Sequence, residues 1–353
     1  MFVLWHPSFK EGQEYAGHIY SELKRDVKQP LARGANIPVY YRYSKPLLTI
    51  PYDQFDFTFT IALIDANFIL DKDYREFLRQ ARQRLSGSYL IPVAIDTTAF
   101  NAGLEFSNLA RLYEKPDKKA GLVALVAHEV LRHISAPSDD PEKPPAPMKL
   151  FVSHAKADGL EIAKQIKSYV ENDLPLKTFF DANDIVIDYD FAKEIARNID
   201  DAVIIAVHSD LYSTREWCRR EILLAKEKNR PIVVLNCFKG GETRSFPYMA
   251  NVLTLHFPGA IVFDQLMTAV LKEALRIKYL TMWIAYVASV RRPGNPVNED
   301  SISGYPPELV TVLRKKQILN NEFIYPDPPL GQEELDILKS LEPGINYLTP
   351  FTL

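Results

Sequence analysis

At 353 residues, 47% of them hydrophobic and 25% charged, the chain is long enough for two cores of about 150 residues and too apolar for wholesale disorder. Its 42 basic and 45 acidic residues leave a formal net charge of -3, so no global field draws it to nucleic acid or to an anionic membrane. Two cysteines, Cys218 and Cys237, exclude a disulfide framework; no second cluster of Cys and His stands at zinc-ligand spacing, and a reducing, cytosolic compartment is expected.

In chain order, MFVLWHPSFKEG carries a proline and an acidic residue where a signal peptide needs an apolar run, so it reads as a strand and loop. Short apolar runs then alternate with amphipathic stretches: FVLW, a helix over EYAGHIYSELKRD, IPVYY, FTFTIALID, a helix around DYREFLRQARQRL, and YLIPVAID. This β-α-β-β-α-β order defines a first domain over residues 1–133. Five prolines between Ile134 and Met148 remove backbone donors and end the periodicity, which places a linker at 134–147.

The same rhythm returns with KLFVSHA, a helix from about Asp158 to Val170, KTFFDAND, a helix around FAKEIARNID, AVIIAVHSD, a helix around EWCRREILLAKEK, and PIVVLNCF. Strands apolar on both faces and separated by helices imply parallel sheets covered on both sides. The expected fold class is therefore α/β, two flavodoxin-like sandwiches in tandem. In such sheets functional groups gather at the carboxyl ends of the strands. The halves also echo each other, since IALIDANFILDKDYREFLRQA follows the pattern of VIIAVHSDLYSTREWCRREILLA.

From Phe257 to about Val290 one long or broken helix fits the apolar spacing, packing on a second domain that spans 148–290. Its stretch YLTMWIAYVASV has 12 residues, below the roughly 18 to 20 that a membrane span needs, so no membrane association is expected. Residues 291–353 read as a proline-rich loop and a short helical tail. The ending LTPFTL has no polar finish and would suit a chain leading into a further domain.

Three segments carry a resemblance. KLFVSHAKAD, with Ser153, His154 and Asp158, resembles the first box of Toll/interleukin-1 receptor (TIR) domains. KTFFDANDIVIDYDFAKEIARNIDDAVIIAVHSDLY is similar to that family's second strand, BB loop, second helix and central strand. TREWCRREILLA matches the Trp-Cys-x-x-Glu helix, with Trp217, Cys218 and Glu221 in register. One departure is DIVIDYDF, where Asp188 and Tyr189 stand at positions at which the family often has glycine after its loop isoleucine.

In enzymatic members this glutamate is catalytic, so the resemblance implies an NAD⁺ glycohydrolase with Glu221 as its carboxylate. It makes NAD⁺ the substrate, with no cofactor and no metal. Cleaving the bond from ribose to pyridinium releases neutral nicotinamide, so the leaving group needs no protonation and positive charge builds on the sugar. One carboxylate beside that sugar suffices, because it stabilises the transition state more than the ground state. Taken alone, a glutamate in CRREILLAKEK reads as a solvated helix carboxylate; the boxes upstream change that reading.

Trp217, one helical turn before Glu221, is placed to face the same cleft. Ser153 and His154 end the first strand and are candidate substrate contacts, as is Asp184 in the BB loop. Asp158, with Glu161 three residues on, is expected to cap its own helix. In the first half, Tyr74 and Leu78 stand where Trp217 and Glu221 would fall and Glu76 is on another face, so a degenerate, non-catalytic TIR-like domain is expected.

The resemblance further implies self-association through TIR domains, activation by assembly, a role in bacterial antiviral immunity, and a sensor for a nucleotide signal as domain or partner. Two other readings stay open. One is a non-enzymatic interaction scaffold, the other a nucleoside deoxyribosyltransferase-like enzyme that also sets a glutamate at an anomeric carbon.

Overall fold

The computed structural model describes residues 1–24, 28, 33–45, 47, 49–82, 87–101, 109–135, 145, 148–173, 178–181 and 198–353. The chain divides into two compact units, one of Met1–Ala146 with Met267–Leu275, the other of Pro147–Leu266 with Arg276–Leu353.

The first unit contains β1 (Phe2–Trp5), α1 (Gly12–Leu23), β2 (Tyr40–Arg42), β3 (Thr58–Ile64), α2 (Ala66–Leu70), α3 (Lys72–Arg82), β4 (Ser88–Ala94), β5 (Ala110–Arg111) and α4 (Lys118–Ser135). Its strands form a parallel sheet in the order β2-β1-β3-β4-β5. Every residue of β1 and β3 is buried, as continuous apolar runs demand when helices cover both faces. Tyr74 and Leu78 of α3 point into the core with Leu4, Ile64 and Phe68. Glu76 lies on the exposed face, paired with Arg79 at 3.1 Å.

Two features of this unit differ from the sequence reading. Strand β5 has two residues, too few to leave a periodic signal. Helix α4 carries the chain through Ile134, which is buried, so the segment expected to begin the linker ends a helix instead. The prolines begin only at Pro137, and residues 136–144 and 146–147 lie outside the described residues.

The second unit contains β6 (Lys149–His154), α5 (Leu160–Asp173), β7 (Thr178–Asp181), β8 (Ala202–His208), α6 (Glu216–Glu227), β9 (Ile232–Asn236) and β10 (Leu253–His256). The order is β10-β9-β8-β6-β7, again all parallel, so the unit's first strand in sequence is again second in the sheet. This flavodoxin-like order reverses direction between β6 and β8. The crevice beyond their carboxyl ends is where an open α/β sheet takes a ligand. β6 and β8 pair from Lys149↔Ala202 to His154↔Val207, which brings Ser153, His154 and His208 to that edge.

Helix α7 (Phe263–Arg291) runs unbroken for 29 residues. The sequence reading assigns it to the second domain, but its middle groups with the first unit, where Arg33 pairs with Glu273 at 2.7 Å and Lys272 with Glu22. Among the described residues no helix is long and apolar enough to cross a membrane. The tail adds α8 (Leu309–Lys315), β11 (Glu322–Ile324), α9 (Gln332–Leu341) and β12 (Asn346–Leu348). The parallel pair β11–β12 was not expected from a loop and short helices. Its core is Val312, Leu319, Phe323, Tyr325 and Ile345.

Candidate active site

The site begins with helix α6. Cys218, Glu221, Ile222 and Ala225 are its buried residues at helical spacing, so Glu221 stands in the stripe that faces the sheet. It is 3% exposed. The outer face is polar, with Glu216 and Arg220 paired at 2.5 Å one turn apart. A solvated helix carboxylate is thus not what the fold makes of Glu221.

Burying a carboxylate costs several kcal/mol, of order, unless hydrogen bonds replace its water. Ser153, at the end of β6 and 1% exposed, supplies one: its Oγ donates to Glu221 Oε2 at 2.5 Å. The Tyr212 hydroxyl lies 2.6 Å from the same Oγ. Ser153 has a single hydroxyl proton, and it is given to the carboxylate, so Tyr212 is the donor to Ser153. Two hydroxyls thus point in sequence at one carboxylate.

The surroundings keep the other acids of this cluster protonated. Burial, followed by the negative charge of Glu221, pushes the Cys218 thiol up to about 12, which leaves it a neutral packing group and no nucleophile. Burial likewise raises the Tyr212 phenol well above its usual value, with Cys218 and Glu221 adding to it.

The loops around the crevice are tied to one another. Asp158 does not cap its own helix: its carboxylate accepts from Ser209 Oγ at 2.7 Å and from the Leu211 amide at 2.9 Å, fastening the turn after β6 to the turn after β8. Gly159 permits that turn, because a Cβ there would meet the Ala155 carbonyl and His154 Cβ at 3.2 Å. Asp210 accepts from the amides of Lys239, Gly240 and Gly241 at 2.9 to 3.1 Å. Those bonds, Gly240's foremost, hold its carboxyl below the usual range.

His208 closes the far side. Its Nε2 lies 2.5 Å from Glu242 Oε1 and 3.3 Å from Ser213 Oγ, while Ser213 also donates to Glu242. Burial pushes the Glu242 carboxyl up, but bonds from Ser213, Ser245 and His208 together outweigh it and hold the group low. A Ser-His-acid relay needs serine and carboxylate on opposite imidazole nitrogens. Here both meet one nitrogen, so the cluster clasps the loop after β9 and does not activate a serine.

Of the residues singled out from sequence, Glu221 and Ser153 are in direct contact. His154 is buried with Nδ1 at 3.2 Å from the Val152 carbonyl. Trp217 is 40% exposed, with the Arg220 guanidinium 4.9 Å from its ring centroid. Asp184, Asp188 and Tyr189 lie outside the described residues. Tyr212, Asp210 and Glu242 were missed. Tyr212 stood in the matched DLY run and could have been found there; Glu242 belongs to a loop with no periodic signal. Among the described residues no group of three or more His, Cys, Asp or Glu side chains gathers to hold a metal.

No curated protein matches the chain. Among solved structures, the C-terminal domain of glucosamine-fructose-6-phosphate aminotransferase from Francisella tularensis is similar at 10% identity and a TM-score of 0.21, over 79% of this chain and 82% of that one. A likeness so slight supports no argument. Residues 150–257 match the TIR domain family, a span that runs from β6 through β10 and holds Ser153, Tyr212, Trp217 and Glu221. With the parallel sheet of flavodoxin-like order beneath that span, residues 150–257 of the chain form a TIR domain.

Proposed function

We propose that the chain is an NAD⁺ glycohydrolase in which Glu221 is the catalytic carboxylate. The observation that carries this reading is a carboxylate buried in the core stripe of α6, beside the carboxyl end of β6, and held there by a donated hydrogen bond. A glutamate with no chemical task is stable on the solvent face, so its placement inside the TIR domain calls for a reason.

In the proposed reaction, water and NAD⁺ give nicotinamide, ADP-ribose and a proton. The C–N bond breaks with its electron pair going to the pyridinium nitrogen, and Glu221 stabilises the oxocarbenium ion left on the ribose. The leaving group departs neutral, so no acid partner is required, unlike the paired carboxylates of common glycosidases. If the adenine ring reaches the ribose before water does, the product is cyclic. Trp217 offers an exposed aromatic face for a flat ring, with His154 and Asp184 as further substrate contacts.

The scaffold reading is favoured by one fact, the near-complete cover over Glu221. The enzyme reading accounts for that cover through activation: self-association of TIR domains exposes the site, and the protein acts as an effector in bacterial antiviral defence, triggered through a sensor of a nucleotide signal. The test is NAD⁺ consumption with product identification, for wild type and Glu221→Gln at high protein concentration with a crowding agent. Nicotinamide release by wild type, lowered at least about 10³-fold in the variant, is expected. Equal release by both sinks the site assignment.

A further inference from the structure

The Tyr212 hydroxyl is fully buried and has to be satisfied, yet its partner is a serine whose own proton goes onward to Glu221. We propose that Tyr212 is a positioning residue for Glu221: through Ser153 it holds the carboxylate in one orientation and keeps it ionised inside the core. This rests on the reading of Glu221 as the catalytic group. It also gives Ser153 a task on the carboxylate, where the sequence suggested contact with substrate.

The relay has a direction. Tyr212 donates to Ser153 Oγ at 2.6 Å, which polarises the serine O–H, and that O–H donates to Glu221 Oε2 at 2.5 Å. Both donors oppose the effect of burial, which by itself drives a carboxyl toward its neutral form. The protein needs the charged form, because only an anion stabilises an oxocarbenium ion.

Each member comes from a different element. Ser153 ends β6, Tyr212 sits in the turn after β8, and Glu221 is on α6. The turn bearing Tyr212 is pinned by Asp158 through Ser209 and Leu211, and His208 lies edge-on to the Tyr212 ring at 5.5 Å. The titratable groups around the carboxylate include Tyr212 and Cys218 on its own helix, and Arg215, just before that helix, acts on the Cys218 thiol. Tyr212 and Cys218 stay protonated through neutral pH, whereas His208, against the Tyr212 ring, is a group of the type that titrates there, so the change is followed on the Glu221 carboxyl signal itself.

The experiment uses the full chain with ¹³C-labelled glutamate and follows the Glu221 carboxyl signal, identified by its loss in Glu221→Gln, as pH falls. Tyr212→Phe keeps the ring and removes one donor, Ser153→Ala breaks both bonds, and Ser153→Thr restores the hydroxyl. The midpoint should rise by about one unit in Tyr212→Phe and further in Ser153→Ala, with Ser153→Thr returning toward wild type. The acid limb of the NAD⁺ cleavage profile should move with it, whereas a merely structural loss lowers the rate equally at all pH values.

Identical Glu221 titration in wild type and Tyr212→Phe overturns the proposal, whatever the activity. Should Ser153→Ala fail to fold, the Tyr212→Phe comparison still decides. A shifted midpoint with no NAD⁺ cleavage by wild type upholds the relay and removes the proposed reaction, so the two failures are told apart.

Discussion

Glu221 and Asp158 have the same side-chain chemistry at different reach. Glu221 can be buried because two hydroxyls lie in line with it; Asp158 bridges two turns because a backbone amide and Ser209 both face it. Bonds to a charged group contribute more than neutral ones. Asp158→Ala should therefore lower the unfolding free energy by about 1–3 kcal/mol, read from the denaturant midpoint with an unchanged slope. It should also lower activity by freeing the turn that bears Tyr212. A variant as stable as wild type would show that the staple is idle.

At the scale of elements, α6 is held from both sides. Its inner stripe packs on the sheet, while Lys226, 7% exposed, places its ammonium 2.8 Å from the Ala250 carbonyl and 2.5 Å from Glu308, which directly precedes α8. Removing one member of a buried pair strands the other, so Lys226→Ala should cost about 3–5 kcal/mol. The double variant Lys226→Met with Glu308→Leu should lie close to wild type, because two matched apolar groups leave no charge behind. A double-variant cycle on thermal unfolding checks both. This tie was not legible beforehand, since Lys226 reads as one more cation in an Arg- and Lys-rich helix and Glu308 follows a proline-rich loop 82 residues away.

For the molecule as a whole, two parallel sheets of the same strand order stand in one chain, and Glu221 is on the helix that covers the second of them. In the first unit the matching helix puts Leu78 and Tyr74 into the core and leaves Glu76 in solvent, so among the described residues that helix has no carboxylate at the place of Glu221. Loss of activity from Glu221→Gln should therefore be total and not half. If assembly uncovers the site, NAD⁺ cleavage per molecule should rise with protein concentration and with crowding, measured as specific activity over a hundredfold range. Specific activity that stays constant over that range would show a site open in the single chain.

What the sequence by itself determined was set by local rules. Unbroken apolar runs such as TFTIALI and AVIIAVH specify strands buried on both faces, and the Trp-Cys-x-x-Glu spacing singles out Glu221 once the boxes upstream are read with it. Two-residue and three-residue strands such as β5, β11 and β12 were hidden because they are shorter than any period, and α4 was overlooked next to the prolines that follow it. Only the tertiary structure decided that Glu221 is covered, that Ser153 meets Glu221 from 68 positions away and Tyr212 from 59, and that Asp158 turns away from its own helix. The physical reason is that hydrogen bonds between the ends of different strands depend on register and crossover geometry, and neither is encoded in the residues that make the bond.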